Sequence, residues 1–228
     1  MIGYYDYSVW LTYMSAISAG LGIIISLHGA GHPYIGVFFL MFCGLCDAFD
    51  GKVARTKKNR TSSQMKFGIQ IDSLSDLIAF GVLPACIANA MIRVSPTLPQ
   101  TPYQIDGSKA DTHVLICLYV VMLLFILAAL IRLAYFNVEE EERQSVETGS
   151  RKYYTGVPVT SAALVFPTVL LIQYISPKDV TLVYFVVMFV LGSLFVSKVK
   201  IPKPNLKGIL IMVGIGLVEF IALIAKLF

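Results

Sequence analysis

Four aspartates, Asp47, Asp50, Asp72 and Asp76, stand close together in a chain that otherwise avoids charge. Asp47 and Asp50 are three positions apart and Asp72 and Asp76 four, so on helices each pair shares one face, a turn apart. Two such faces brought together by a hairpin would repel strongly in a low dielectric unless cations offset the charge. Oxygen-only ligation with no histidine nearby selects hard ions, so two divalent cations are expected, Mg2+ or Mn2+ with Ca2+ admissible, rather than zinc. Ions held this way keep coordination positions open for phosphate oxygens. The same acids would also suit a packing role, paired with neighbouring Lys and Arg, or the driving-ion site of an ion-coupled transporter. Charge inside a membrane segment is costly and usually functional, and crowding at one membrane face does not resemble a pathway spread through several helices. Gly51, Ala54 and Gly68 leave bare helix surface beside the acids, and Arg55 adds a fixed cation, so the set describes a pyrophosphate site better than a proton wire.

The elements that carry these residues are read from composition. Of 228 residues, 57% are hydrophobic and 14% charged, with a mean hydropathy of +0.75, far from the roughly 25% charge of a soluble domain. Apolar stretches near the roughly 20 residues needed to cross a bilayer recur along the chain. Hydropathy and Pro or Gly punctuation predict seven segments, at about 9–28, 33–55, 66–93, 112–137, 156–176, 179–198 and 206–227. Most of the 18 Lys and Arg fall in the loops after the second, fourth and sixth segments, whereas Arg93, Lys109, Lys178 and Lys226 fall on the other side. Basic loops face the cytoplasm, which gives an N-in, C-out topology with the aspartates at the cytoplasmic surface, where the basic face would also attract anionic lipid headgroups.

The remaining features carry less chemistry. Cys43, Cys46, Cys86 and Cys117 lie in or beside apolar segments, and the Cys43/Cys46 pair on one helix is expected to pack rather than to bind metal or form a disulfide. No basic stretch precedes the first apolar segment, so it is expected to remain as a helix. The acidic run Glu139 to Glu142 is expected to be a solvated helix end. No internal repeat is apparent.

The aspartates also form a known pattern. D-x-x-D-G-x-x-A-R followed by G-x-x-x-D-x-x-x-D, here Asp47, Asp50, Gly51, Ala54, Arg55, Gly68, Asp72 and Asp76, resembles the signature of the CDP-alcohol phosphatidyltransferases. The stretch GIQIDSLSDLIAFGVLPA from Gly68, RLAYFNV from Arg132 and YYTGVPVTSAA from Tyr153 are similar to the phosphatidylserine synthase branch of that family, over roughly residues 9–170. Three departures stand out. Twelve residues, Thr56 to Phe67, separate Arg55 from Gly68 where about eight is usual, Ser15 stands where the first helix often has Asn, and Tyr135 replaces the second Arg of the family's RLARFN.

The resemblance implies an all-α integral membrane protein, a polytopic bundle of about six to eight transmembrane helices forming one catalytic domain over 1–228. It implies transfer of a phosphatidyl group from CDP-diacylglycerol to L-serine, or to glycerol phosphate or inositol phosphate in sister enzymes, in a prokaryotic cell membrane with the site facing the cytoplasm. By the same resemblance, Asp47 and Asp72 bridge two metal ions, Asp50 completes one and Asp76 the other, and Asp76 accepts the acceptor's proton. Thr12, Gly51, Ala54, Arg55, Thr61 and Gly68 are the implied CDP-diacylglycerol contacts, with Ser62 or Ser63 as alternatives to Thr61. Arg132, Asn137 and Arg151 are the candidate serine contacts, with Lys152 as a further cation. A homodimer among membrane lipids is implied, and no nucleic-acid partner is expected.

Overall fold

A computed structural model describes residues 3–28, 33–57, 59–98, 109–146, 153–175, 178–202 and 206–227. A 3-10 turn at Tyr7–Val9 leads into α1 (Trp10–Leu27), followed by α2 (Pro33–Thr56) and α3 (Ser62–Asp76). A π-helical turn, Leu77–Val82, joins α3 to α4 (Leu83–Val94). Then come α5 (Lys109–Val146), β1 (Tyr153–Thr155), a 3-10 turn at Val159–Ser161, α6 (Ala162–Ile175), α7 (Thr181–Phe195), β2 (Lys200–Pro202) and α8 (Leu206–Leu227).

Among the described residues, four rods are long and apolar enough to cross a membrane: Tyr7–Leu27, Pro33–Thr56, Ser62–Val94 and Thr112–Arg143. Shorter apolar helices at Val159–Gln173, Thr181–Phe195 and Ile211–Ala222 fall where the last three segments are expected from hydropathy. The protein is therefore a polytopic, all-helical integral membrane protein, its helices turning many large apolar side chains outward, among them Ile17, Leu123, Val186 and Val218. Several boundaries differ from those read in the sequence, among them that of α6, which starts at Ala162 rather than 156. The third rod begins at Ser62 rather than 66, because Thr61 caps it, and the fourth runs on to Val146 rather than 137. At 38 residues α5 is about 57 Å long, well beyond the roughly 30 Å hydrocarbon core, so its polar end stands clear of the apolar layer.

Lipid offers no hydrophobic drive for helix to meet helix, so close packing must hold the bundle. α1 lies along α2 as the most extensive contact of the fold, and α3 rests on α1 and on the π turn. Gly44 lets α6 approach α2, since a Cβ there would stand 2.5 Å from the Ala163 Cβ. Phe166 stacks on Tyr184 at 4.6 Å and meets Phe125 edge-on at 5.6 Å, joining α5, α6 and α7. Tyr184 buries its ring and donates its hydroxyl to the Pro84 carbonyl at 3.1 Å.

Two local devices shape the end of the bundle that holds the aspartates. Pro84 has no N–H to give the Phe80 carbonyl, and the chain responds with the wider π turn, where the Leu83 N–H bonds Ile78 O. β1 and β2 pair antiparallel, Tyr153 with Pro202 and Thr155 with Lys200, which ties the strand after α5 to the strand before α8. Gly156 ends this ribbon at φ +78°, with its N–H on Val199 O at 2.7 Å. A Cβ there would lie 2.7 Å from the Phe195 carbonyl oxygen, so the position is closed to any side chain.

Cys43 and Cys46 are buried and free, as the packing expectation has it. The glutamate run needs a correction. Glu141 and Glu142 are exposed, but Glu139 accepts a hydrogen bond from Thr155 Oγ1 at 3.0 Å and Glu140 pairs with Arg143 at 2.6 Å. The α5 end is long enough to reach the ribbon, so part of the run clamps β1 instead of facing water.

Candidate active site

The site is assembled by two helices running in opposite directions. α2 carries Asp47 and Asp50 toward its end at Thr56, and α3 carries Asp72 back from its start at Ser62. Thr61 starts α3 with a capping box: its hydroxyl accepts from Gln64 N at 3.2 Å while Gln64 Oε1 accepts from Thr61 N at 3.0 Å. Such a cap is worth about 1 kcal/mol and fixes where α3 begins, hence the height at which Asp72 meets α2.

One oxygen from each of Asp47, Asp50 and Asp72 lies within 4.8 Å of the other two, and all three residues are half-buried. Asp76, the last residue of α3, is buried and stands one turn deeper, outside this close group. Asp72 Oδ1 is sealed from solvent and has no hydrogen-bond partner among the described residues. An acceptor-only oxygen buried without a donor is costly, and its convergence with the Asp47 and Asp50 carboxylates fits a hard divalent cation, which would satisfy the oxygen and offset the charge. The donor set fits the expected metal.

The other expected residues divide into those the fold brings to this end and those that hold it together. Thr12 is buried on α1, and its carbonyl accepts from Ser75 Oγ at 3.2 Å, which ties it to the residue before Asp76. Gly51 and Ala54 are half-buried on the last turns of α2, and the Arg55 guanidinium folds back so that a Cβ on Gly51 would meet its Nη1 at 3.4 Å. At Gly68 a Cβ would stand only 2.7 Å from Arg60 Nη2. The bare patch that the sequence offers on α3 is therefore covered by the Arg60 guanidinium. Thr61 is spent as an acceptor in its cap, although its own hydroxyl proton remains to be donated.

Arg132 is 5% exposed, donates from Nε to the Val157 carbonyl at 3.2 Å and lies 5.4 Å over the Phe136 ring. Asn137 Nδ2 donates to Ser73 Oγ at 2.8 Å, bringing α5 to the residue next to Asp72. Arg151 and Lys152 lie outside the described residues. Tyr135, where the family has Arg, is 53% exposed on the outer surface of α5.

Sequence reasoning missed Ser73, Ser75, Arg60 and the Asp6–Lys57 ion pair at 2.7 Å. Ser73 and Ser75 lie inside the DSLSD run, where the acids drew the attention. The bareness of Gly68 signals that something approaches, but nothing local says that it is Arg60.

Known proteins resemble this sequence over most of the chain. The sequence profile described as CDP-alcohol phosphatidyltransferase matches residues 8–220. A CDP-diacylglycerol--serine O-phosphatidyltransferase of Saccharomyces cerevisiae is 31% identical over 216 residues, covering 86% of this chain and 70% of the relative. One of the same description from Helicobacter pylori is 28% identical over 214 residues, 90% of this chain and 78% of the relative. An archaetidylserine synthase of Methanothermobacter thermautotrophicus is 28% identical over 198 residues, 87% of this chain and 70% of the relative.

Proposed function

Because the chain belongs to the CDP-alcohol phosphatidyltransferase family, we propose that it transfers the phosphatidyl group of CDP-diacylglycerol to L-serine, giving phosphatidylserine and CMP. The observation that carries the chemistry is the meeting of the Asp47, Asp50 and Asp72 oxygens within 4.8 Å at the end of two membrane helices. Similarity to proteins described as serine O-phosphatidyltransferases supports the choice of acceptor.

Asp47, Asp50, Asp72 and Asp76 would hold two divalent cations, Mg2+ or Mn2+, with Ca2+ an alternative. When bound, these ions supply neutralisation of the pyrophosphate charge and of the charge that develops on the leaving phosphate. Arg55 and the open backbone at Gly51 and Ala54 bind the pyrophosphate and nucleotide, with Thr12, the free proton of Thr61 and the Arg60-covered surface of Gly68 completing the pocket. The serine hydroxyl oxygen attacks the phosphorus that bears the diacylglycerol. Its proton passes to Asp76, the bond from that phosphorus to the oxygen of CMP breaks, and the electron pair leaves with CMP. Burial of Asp76 beside Ser75 excludes bulk water from the proton acceptor. Arg132 pairs with the serine carboxylate, Asn137 orients the substrate through its bond to Ser73, and Arg151 adds a second cation.

The chain acts as one catalytic domain over 1–228, in a homodimer embedded among membrane lipids of a prokaryotic cell membrane. Its basic loops keep the site on the cytoplasmic side, where serine and the nucleotide are found. A second donor deserves a direct comparison, since an archaetidylserine synthase is among the similar proteins.

The test is CMP release by purified protein with Mg2+ or Mn2+. Serine-dependent release from CDP-diacylglycerol is the expected result. Release only with glycerol phosphate or inositol phosphate would reassign the acceptor, release only from an archaeal-type donor would reassign the lipid, and no release with any pair would return the aspartates to an ion-coupled transporter.

A further inference from the structure

The stretch from Thr56 to Phe67, longer than the family's usual spacing, covers the end of α2, the connection over 57–61 and the first turns of α3, and it is held near both ends by the same short segment. Lys57, directly after α2, pairs with Asp6 at 2.7 Å, and the two side chains are 22% and 24% exposed. Phe67, on α3, meets the Tyr4 ring edge-on at 5.3 Å. The segment between these anchors is itself fixed, because Tyr4 O accepts from Tyr13 Oη at 3.0 Å and Asp6 Oδ1 accepts from Ser8 N at 2.9 Å. Residues 4–6 therefore cross from the end of α2 to the first turns of α3.

Such a crossing has leverage at the aspartates. α3 rests mainly on α1 and the π turn rather than along α2. α1, packed on both helices, sets their general placement, and at this end the N-terminal segment, which also packs on α2 through the 3-10 turn, bridges the two directly. Asp47 and Asp50 hang on one side of the gap and Asp72 on the other, and their oxygens must stay within 4.8 Å to share an ion.

We propose that the Tyr4–Asp6 segment is a brace, and that Asp6 and Lys57 are positioning residues whose ion pair sets the divalent-cation affinity of the carboxylate group. This rests on the metal-site reading of the aspartates given above. The extra length between Arg55 and Gly68 then serves to reach the brace: Lys57 supplies one anchor, and the cap at Thr61 returns the chain so that Phe67 supplies the other.

The experiment measures Mn2+ binding to the purified full chain by the electron paramagnetic resonance signal of free Mn2+, with no substrate present, for wild type, Asp6→Asn, Lys57→Gln, the double variant and Lys57→Arg. Asn still caps the Ser8 N–H, so Asp6→Asn removes the charge and leaves the turn intact. Each neutral single variant is expected to weaken Mn2+ binding at least about fivefold, the double variant no more than either single, and Lys57→Arg to stay near wild type. Unchanged affinity in the neutral variants would overturn the brace, as would losses that multiply in the double variant or a Lys57→Arg loss as large as that of Lys57→Gln. Mn2+ binding by wild type without serine-dependent CMP release would sink the proposed reaction and leave the brace standing, whereas a wild type that binds no Mn2+ would overturn both.

Discussion

Asn137 on α5 donates a 2.8 Å hydrogen bond to Ser73 on α3, 64 positions away and adjacent to Asp72. α5 therefore reports directly on one of the two helices that carry the carboxylates. Removing either partner leaves a half-buried polar group with its bond unmade, which costs about 1 kcal/mol. Asn137→Ala and Ser73→Ala are expected to be non-additive in thermal stability, and Asn137→Ala to raise the serine KM more than the CDP-diacylglycerol KM. Full additivity would mean that the contact carries no coupling, and equal KM effects would make Asn137 a purely structural residue.

Asp76→Asn keeps the size of the side chain and removes its capacity to take a proton. CMP release should fall by about three orders of magnitude or more, while CDP-diacylglycerol still binds in the presence of metal. Retained turnover would move the proton acceptor elsewhere.

Asp72 Oδ1, sealed and without a hydrogen-bond partner among the described residues, predicts a metal requirement. Stripping divalent ions with a chelator should abolish serine-dependent CMP release, and Mg2+ or Mn2+ should restore it where Zn2+ does not, since an all-oxygen set discriminates in that direction. Asp72→Ala should prevent restoration by either ion.

Gly156→Ala tests the ribbon. At φ +78° an L side chain is strained by about 1–3 kcal/mol, and the added Cβ would meet the Phe195 carbonyl oxygen at 2.7 Å. Arg132 Nε, 3.3 Å from the same point, would also have to move. A drop in Tm of several degrees together with a raised serine KM is expected, whereas a stable variant with wild-type KM would dissociate the ribbon from the serine site.

Two carboxylates outside the apolar spans give a pH window. The hydrogen bond from Lys57, then those from Ser8, hold Asp6 well below the ordinary carboxylate range, to about 2. For Asp179, burial opposes ionisation, but hydrogen bonds from Ser95, Thr181 and Thr97 outweigh it and bring the group to about 2 as well. A depressed folded value stabilises the fold above the unfolded value, and that contribution is lost as pH falls through the folded one. Thermal stability in detergent should therefore decline between about pH 4 and 2, and Asp179→Asn should lower stability at neutral pH while flattening part of that acid decline.

The seven apolar segments, the all-helical class and the paired spacing of the aspartates were legible in the sequence because each is a property of one helix. Span length follows from the thickness of the hydrocarbon layer, and the face a residue occupies follows from 3.6 residues per turn. The motif from Asp47 to Asp76 also carried the family. Which acids actually meet was decided by tertiary structure: the capping box at Thr61 and the rest of α3 on α1 set the height of Asp72 against α2, and three oxygens converge while Asp76 sits a turn deeper. The partners of Gly68, Ser73 and Lys57 were equally beyond local pattern. Arg60, Asn137 and Asp6 reach them through packing, across 51 positions for the Asp6–Lys57 pair, and no periodicity within a single helix encodes where another element will lie.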